Sequence, residues 1–170
     1  YKDKRLVNWD PKLGTALSDL EVNQIEKVGK MWFVKYQLEN SKEDIVIGTT
    51  RPETIFGDSG IAIHPKNKKL NHLIGKKALI PILNKSIPIF ADEYADPEKG
   101  SGAVKITPAH DFNDFEIGKK HDLEFVNILD KTASLNKNTP KEYQGLNRFV
   151  ARKKLISELK KNNKILKIVN

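Results

Sequence analysis

Residues 31–47 read MWFVKYQLENSKEDIVI, and this segment establishes the class of fold. Its apolar side chains fall at every second position from Trp32 to Leu38, which is the period of a half-buried β-strand. A polar segment, residues 40–43, then predicts a turn into a second strand from Ile45 to Ile47. The segment therefore predicts two consecutive short strands joined by a tight connection.

Outward from this pair, the remaining chain alternates short apolar runs with proline, glycine and polar breaks. Further strands are predicted at 60–64, 77–82, 87–90, 103–106 and 123–129. Helices are predicted at 67–74, about 113–121 and about 148–161, with a long loop at 130–147. Short strands with interspersed short helices predict an α+β, β-rich fold with a small β-barrel core and peripheral helices.

Composition narrows the class of protein before any motif is considered. The chain has 170 residues, 38% of them hydrophobic, which fits one globular domain. With no cysteine, a disulfide scaffold and a thiolate zinc site are excluded. No apolar run reaches the roughly 18 residues of a membrane span, and no signal peptide is visible. We therefore expect a cytoplasmic protein with no membrane partner.

The net charge is strongly basic, at +8 with a pI near 9.5. Such a balance favours a polyanionic partner such as nucleic acid. The excess consists mainly of lysines, however, and a solvated lysine-rich surface explains it equally well. Charge alone therefore leaves both interpretations open.

The first segment with chemical content is GTTRPETIFG, residues 48–57. Thr50 and Glu53 have the spacing of a capping box, and Pro52 suits the first position of a helix. Arg51 has no such structural explanation, and its guanidinium suits phosphate or carboxylate beside converging backbone N–H groups. The segment predicts a phosphate- or sugar-binding turn.

The second segment is GSGAVKITPAHDFNDFE, residues 100–116. Strand alternation places Lys105 and Thr107 on one face. Asp111 and Asp114 are three residues apart at a helix start, where a plain N-terminal cap is the alternative explanation. Together these side chains predict a compact pocket for an ammonium group and a hydroxyl.

A metal site at His110, Asp111 and Asp114 was weighed against simpler roles. The residue types are possible ligands, but no other histidine has companion spacing. His110, which follows Pro108, is predicted to be a hydrogen-bonding turn residue. No serine or cysteine stands in a nucleophile elbow, and no Walker-type loop is present. We expect no metal, no covalent nucleophile and no ATP site.

Taken together, the two segments resemble the editing domains of class I aminoacyl-tRNA synthetases, which hydrolyse mischarged tRNA in the isoleucyl, leucyl and valyl enzymes. The matching residues are 49–54, 100–111 and Asp114. Residues 6–13 and 15–22 resemble the valyl branch, as do Lys105 and Asp111, where the isoleucyl pattern has histidine and glycine. The chain departs from the valyl pattern at two neighbouring positions, Lys99 and Ser101.

The resemblance implies one editing domain over residues 1–170 with a β-barrel core. Residues of about 1–25 and 148–170 would then connect it to a catalytic module. The implied reaction is hydrolysis of the ester of threonyl-tRNA(Val), with the 3′ end of tRNA(Val) as partner and a monomeric domain. Editing would need no cofactor, since ATP and Mg²⁺ belong to the synthetic module.

The resemblance also implies roles for individual residues. Asp114 would bind the substrate α-ammonium, and the hydroxyl-reading side would comprise Lys105, Thr107 and Asp111, with Lys105 and Asp111 holding each other. Which aspartate reads the hydroxyl and which the ammonium stays open. The group that would hold the terminal adenosine and the tRNA end comprises Thr49, Thr50, Arg51, Gly100, Gly102 and His110.

Two alternatives remain. A non-catalytic basic RNA-binding module would leave the ester intact. An isoleucyl-type editor would cleave valyl-tRNA instead, although Lys105 and Asp111 argue against it.

Overall fold

The computed structural model describes residues 4–23 and 29–170. Residues 1–3 and 24–28, which include parts of the predicted N-terminal connection, lie outside the described residues. The strands are β1 (Asn8–Asp10), β2 (Thr15–Leu17), β3 (Met31–Gln37), β4 (Asp44–Thr49), β5 (Gly60–Ile63), β6 (Lys77–Leu79), β7 (Ser86–Ala91), β8 (Ala103–Ile106) and β9 (Ile165–Val169). The helices are α1 (Phe112–Lys120) and α2 (Arg148–Lys161), and 3₁₀ turns cover Asp19–Glu21, Pro52–Gly57, Asn71–Leu73 and Lys141–Tyr143.

The predicted pair of strands forms the centre of a three-stranded sheet. β3 pairs antiparallel with β4, with Tyr36 opposite Ile45. Its alternate side chains Val34 and Tyr36 are fully buried, as the period of two predicts. On its other edge β3 pairs with β9. This last strand was not predicted, because residues 165–169 are exposed along most of their length and lack alternation.

The second sheet carries the candidate site. It has four strands in the order β6-β7-β5-β8, and the predicted hairpin of β6 and β7 is confirmed. β5 pairs antiparallel with β8, which places Lys105 opposite the buried Ile61. A bridge between Leu38 and Ala78 joins the two sheets. The α+β, β-rich class is confirmed. The predicted barrel is not, since the strand pairs in residues 4–23 and 29–170 form separate sheets.

α2 covers one side of the core. Its predicted bounds and period of four are confirmed, and Ala151, Leu155 and Leu159 are fully buried. The helix packs against the 3₁₀ turn Pro52–Gly57, so residues far apart in sequence meet beside the first motif. The proposed role of 148–170 as a connection stays a prediction. Neither α1 nor α2 has the length and apolar character needed to cross a bilayer.

Two predicted elements are wrong, for the same physical reason. The helix at 67–74 reduces to the turn Asn71–Leu73, because Asn67 Oδ1 accepts the N–H groups of Lys69 and Leu70 and offers them an alternative to a helix. The strand at 123–129 is absent because the N–H of Ile128 donates to a side chain rather than to a neighbouring strand. In both segments a side chain replaces a backbone partner, and it is a local side chain in the first and His110, 18 residues away, in the second.

Candidate functional site

β8 and the turn that follows it place Lys105 and Thr107 in the interior. The ammonium of Lys105 donates to Asp58 Oδ1 at 2.7 Å, Thr54 Oγ1 at 3.0 Å and Thr107 Oγ1 at 2.5 Å. Thr107 in turn donates to Asp58 Oδ1 at 2.7 Å, and Tyr36 donates to Asp58 Oδ2 at 2.6 Å. We call these five residues the Lys105 network. All three ammonium protons have acceptors, so the network is satisfied internally.

The prediction that Lys105 and Asp111 hold each other is wrong. The ion-pair partner of Lys105 is Asp58, which is fully buried and which sequence reasoning missed. Asp58 follows the first motif in a short polar segment that reads as a linker. A signal was available in β8, because a lysine that is buried within a short apolar strand requires a carboxylate partner.

Charge and burial compete at the centre of this network. Burial raises the pKa of Asp58, and the ammonium of Lys105 and the hydroxyls of Tyr36 and Thr107 oppose that increase. Burial and the nearby Asp58 carboxylate raise the pKa of Tyr36 well above its ordinary value. Tyr36 is therefore a neutral hydrogen-bond donor.

Asp114 is the second buried carboxylate, and its surroundings differ. It lies in the first turn of α1 and is 7% exposed. Oδ2 accepts the backbone N–H of Thr107 at 2.9 Å, and Oδ1 accepts the hydroxyl of Tyr94 at 3.3 Å. Burial raises its pKa to about 6, and the Thr107 N–H opposes this while Asp111 reinforces it. Within the described chain no Lys, Arg or His forms an ion pair with Asp114.

Asp111 fills the structural role that the sequence offered as an alternative. It is the N-cap of α1, and its Oδ1 accepts the N–H of Asp114 at 3.0 Å. The cap fixes the start of the helix and with it the position of the Asp114 carboxylate. Asp111 is itself exposed, so it reaches solvent while Asp114 lies behind it.

The first motif brings Arg51 to His110. Arg51 Nη1 donates to the carbonyl of His110 at 3.1 Å, and Arg51 N–H donates to Thr49 Oγ1 at 3.1 Å. Thr49 is buried, whereas the Arg51 side chain is 44% exposed and Thr50 is exposed. The guanidinium thus has a structural contact that sequence reasoning did not foresee, and it keeps donors directed at solvent.

The predicted capping box of Thr50 and Glu53 is wrong. The turn Pro52–Gly57 has no side-chain cap at its start, although Pro52 does occupy a first position. Glu53 is 1% exposed and instead accepts two hydrogen bonds from Arg152 of α2, at 2.7 and 2.8 Å. Its Oε1 also lies 3.8 Å from Arg51 Nε. A partner 99 residues away outcompetes the local cap.

His110 is confirmed as a hydrogen-bonding turn residue. Its N–H donates to the Thr107 carbonyl at 3.0 Å, and its ring Nε2 accepts the N–H of Ile128 at 2.9 Å. Burial, with the positive charges of Arg51 and Lys105, lowers its pKa to about 4, so the ring is neutral. Among the described residues, no three His, Asp or Glu side chains are grouped as metal ligands.

Gly100 and Gly102 lie apart from these contacts. Both have backbone φ in the left-handed region, +58° and +79°, which favours glycine. A Cβ on Gly102 would come within 2.7 Å of Asn67 Nδ2, so close packing also requires glycine there. Ser101 beside them bonds only to Ala103, and Lys99 is exposed near Asp96. Their role in binding stays a prediction.

A cavity of about 890 Å³ opens beside the site. Arg51, His110 and Asp111 line one wall of it, and residues 4–9 line another. The cavity also contains basic and aromatic side chains, including Lys4, Arg5, Trp9, Phe112, Phe125, Lys131 and Arg148. Lys105, Thr107 and Asp114 are buried and are not among the residues that line it. The arrangement is an open basic cavity with a buried polar interior.

Comparison with known proteins places this arrangement in a family. Residues 66–169 match the family model described as "Leucyl-tRNA synthetase, editing domain". The crystal structure of the ternary complex of a leucyl-tRNA synthetase from Agrobacterium radiobacter K84 with tRNA and LeuAMS shares the fold. The TM-score is 0.64 and the identity 21%, covering 84% of this chain and 20% of that one. The chain therefore belongs to the family of leucyl-tRNA synthetase editing domains.

Within that family the chain is most informatively compared with valine--tRNA ligases. It is 54% identical to the enzyme of Pelagibacter ubique over 170 residues and 53% identical to that of Legionella pneumophila (strain Paris) over 167 residues. These matches cover 100% and 98% of this chain but 19% and 18% of the relatives. The chain thus spans about a fifth of the length of these relatives. The predicted valyl-type editing domain is confirmed.

Proposed function

We propose that this domain hydrolyses the ester of threonyl-tRNA(Val), the post-transfer editing reaction. The observation that carries the proposal is the Asp114 carboxylate, which is buried and, within the described chain, bonded only by neutral donors. An aminoacyl ester carries one α-ammonium, and a charge-assisted bond to it would supply the missing positive charge. Asp114 is accordingly the residue that binds the substrate α-ammonium.

Asp111, next to Asp114, would bind the side-chain hydroxyl of threonine. Asp111 Oδ1 caps α1, and no donor in the described chain bonds its Oδ2, which is left for the substrate hydroxyl. Lys105 and Thr107 belong to the same hydroxyl-binding side of the pocket, and their hydrogen bonds keep that side polar. Valine has no hydroxyl and would forgo the bond to Asp111, and a hydrogen bond to a charged group contributes about 1.5–3 kcal/mol. An apolar synthetic pocket is known to separate threonine from valine only about a hundredfold.

The tRNA end would enter through the 890 Å³ cavity. Arg51, with the backbone of Thr49 and Thr50, holds the terminal adenosine, and Gly100, Gly102 and His110 complete the binding region. The basic charge of +8 and the tRNA named in the leucyl-tRNA synthetase complex support a tRNA partner. In the full-length protein, we propose, a separate module attaches valine to tRNA(Val) using ATP and Mg²⁺.

The chemistry proposed is the positioning of a water against the ester carbonyl. Fixed dipoles would stabilise the developing oxyanion, and orientation alone can contribute several kcal/mol. Neither a covalent intermediate nor a metal is required. The neutral ring of His110 is occupied by the Ile128 N–H, so it is not assigned as general base.

Deacylation of purified threonyl-tRNA(Val) and valyl-tRNA(Val) by the 170-residue domain tests the proposal. We expect threonyl-tRNA to be hydrolysed well above its spontaneous rate and valyl-tRNA to be spared. Hydrolysis of neither ester, with tRNA binding retained, would indicate a binding module. Preferential hydrolysis of valyl-tRNA would indicate the isoleucyl type of specificity.

A further inference from the structure

Tyr94 lies on the opposite side of the Asp114 carboxylate from Thr107. It belongs to the segment between β7 and β8, and its hydroxyl lies 3.3 Å from Asp114 Oδ1. The N–H of Thr107 donates to Asp114 Oδ2 at 2.9 Å. Tyr94 is 39% exposed, whereas Asp114 is 7% exposed. An ammonium that approached Oδ1 would meet this phenol hydroxyl.

The backbone of Tyr94 is fixed by a second buried carboxylate. Asp92 is 6% exposed, and its Oδ1 accepts the N–H of Tyr94 at 2.8 Å. Its Oδ2 accepts Lys120 Nζ at 2.8 Å and His121 Nε2 at 2.7 Å. These bonds lower the pKa of Asp92 to about 2, although burial opposes them, so it stays ionised at neutral pH. Asp92 therefore accepts the Tyr94 N–H as a carboxylate throughout the neutral range of pH.

α1 carries both ends of this arrangement. Asp114 lies in its first turn, and Lys120 lies in its last turn, followed by His121. The helix thus fixes the distance between the carboxylate and the anchor that holds Tyr94. The hydroxyl of Tyr94 contacts Asp114, whereas the backbone N–H of Tyr94 contacts Asp92. Removal of the hydroxyl would therefore alter the surroundings of Asp114 and leave the contacts of Asp92 intact.

We propose that Tyr94 is a positioning residue for the editing reaction, whose hydroxyl orients Asp114 Oδ1 toward the substrate α-ammonium. The inference rests on the proposed function, because it takes the ammonium of an aminoacyl ester as the ligand. A carboxylate oxygen accepts more than one hydrogen bond, so the phenol and the ammonium share Oδ1. Tyr94 does not contact the reacting ester carbonyl.

The physical reason lies in the balance of groups that face Asp114. Burial and the nearby Asp111 carboxylate raise the pKa of Asp114, while the Thr107 N–H, the Lys105 ammonium and the Tyr94 hydroxyl lower it. Of these, the Tyr94 hydroxyl can be deleted with the least change in shape. Its loss should raise the pKa of Asp114 and shorten the pH range in which the carboxylate is charged.

The test compares Tyr94→Phe with the wild-type domain and with Tyr143→Phe. Tyr143 is the control, because its buried hydroxyl makes no hydrogen bond to Asp114 or to the groups around it. For Tyr94→Phe we expect the KM for threonyl-tRNA to rise about threefold to tenfold, with a smaller change in kcat. The acidic limb of kcat/KM should also move to higher pH. Tyr143→Phe should leave both quantities unchanged.

A titration of the Asp114 carboxyl carbon by NMR separates this inference from the proposed function. A higher midpoint in Tyr94→Phe, with no hydrolysis by any variant, would overturn the proposed function and leave the coupling of Tyr94 to Asp114 standing. Identical midpoints in the wild type and Tyr94→Phe would overturn the inference, whatever the activity. An unchanged KM in an active Tyr94→Phe domain would also overturn it.

Discussion

Asp58 and Asp114 are both buried carboxylates within one polar interior, but only Asp58 has a cation. Asp58 receives the Lys105 ammonium and two hydroxyls. Asp114 receives one backbone N–H and the hydroxyl of Tyr94. A buried charge without an ion-pair partner is rarely retained for stability. The difference indicates that Asp58 belongs to the scaffold, whereas Asp114 is placed for a positive charge that arrives with a ligand.

The Lys105 network and the surroundings of Asp114 form two different sides of the candidate site. The Lys105 network is complete without substrate, so it needs no rearrangement when the substrate binds. Preorganised polar groups of this kind stabilise developing charge without being reoriented during the reaction. Asp114, in contrast, would gain a cationic partner only in the proposed complex with substrate. Removing single groups from each side should therefore have different effects on stability and activity.

The largest expected effect is on the Asp58 side. Lys105→Met leaves Asp58 buried without its cation, which should lower the free energy of unfolding by about 3–5 kcal/mol. Chemical denaturation of the purified domain measures this. Lys120→Met is the matched control, because Lys120 pairs with Asp92 while 63% exposed, and its loss should cost about 1 kcal/mol or less.

Adding Asp58→Asn to Lys105→Met sharpens this result. The double variant removes both charges, so it should recover part of the lost stability. If Lys105→Met unfolded no more easily than Lys120→Met, the scaffold role of the Lys105 network would be wrong.

Asp114→Asn should reverse the pattern, with a loss of activity and little loss of stability. Losing a charge-assisted bond to the substrate should reduce threonyl-tRNA hydrolysis roughly tenfold to a hundredfold. Glu116→Gln, an exposed change on the same helix, is the control and should have no effect on activity. Wild-type deacylation by Asp114→Asn would remove the ammonium-binding role.

The pH dependence of stability gives an independent check on Asp114. Its pKa of about 6 in the folded protein exceeds the ordinary value of 3.8, so the folded state binds this proton more tightly than the unfolded state. The contribution of Asp114 to stability is therefore largest below pH 4 and decreases as the pH rises to about 6. We expect the difference in unfolding free energy between wild type and Asp114→Asn to change over that window. A constant difference would contradict the raised pKa.

Glu53 extends the comparison, since it is another buried carboxylate and resembles Asp58 in having a cation. Arg152→Gln should lower the free energy of unfolding by about 1.5–3 kcal/mol, because Glu53 loses both charge-assisted bonds. Combining it with Glu53→Gln should recover part of that loss. Thermal denaturation of the single and double variants makes the measurement. Equal stabilities for wild type and Arg152→Gln would show that the pair is not structural.

Local patterns in the sequence were sufficient for β3, β4, β8 and α2, because periodicity and turn residues decide those elements. The two motifs also identified the residues that surround the site. Local sequence patterns did not predict which of these residues pair with one another. Asp58 with Lys105 and Glu53 with Arg152 are contacts over 47 and 99 residues. The first replaces the Asp111 partner that the resemblance implied, and the second replaces the capping box that spacing predicted. The missed Tyr94 lies in a loop without any periodic signal.

Arg51 should affect binding rather than stability, because its side chain is 44% exposed. Arg51→Ala should change the free energy of unfolding by about 0.5 kcal/mol or less. It should weaken binding of a non-hydrolysable threonyl-adenosine 5′-phosphate mimic, and the salt dependence of binding should become shallower. Calorimetric titrations at two salt concentrations measure both effects. Lys42→Ala, in the exposed connection between β3 and β4, is the control. An unchanged affinity for Arg51→Ala would exclude Arg51 from the site.

Removal of divalent metal ions by a chelator should have the smallest effect on deacylation. A divalent ion held by His110, Asp111 and Asp114 would supply the positive charge that Asp114 lacks, and the contrast with Asp58 would then have another cause. The geometry disfavours such a site, because His110 Nε2 accepts the Ile128 N–H and Asp111 Oδ1 accepts the Asp114 N–H. We therefore expect full deacylation of threonyl-tRNA after dialysis against a strong chelator. Activity lost on dialysis and restored by a divalent metal alone would assign the cation of Asp114 to a metal instead of the substrate.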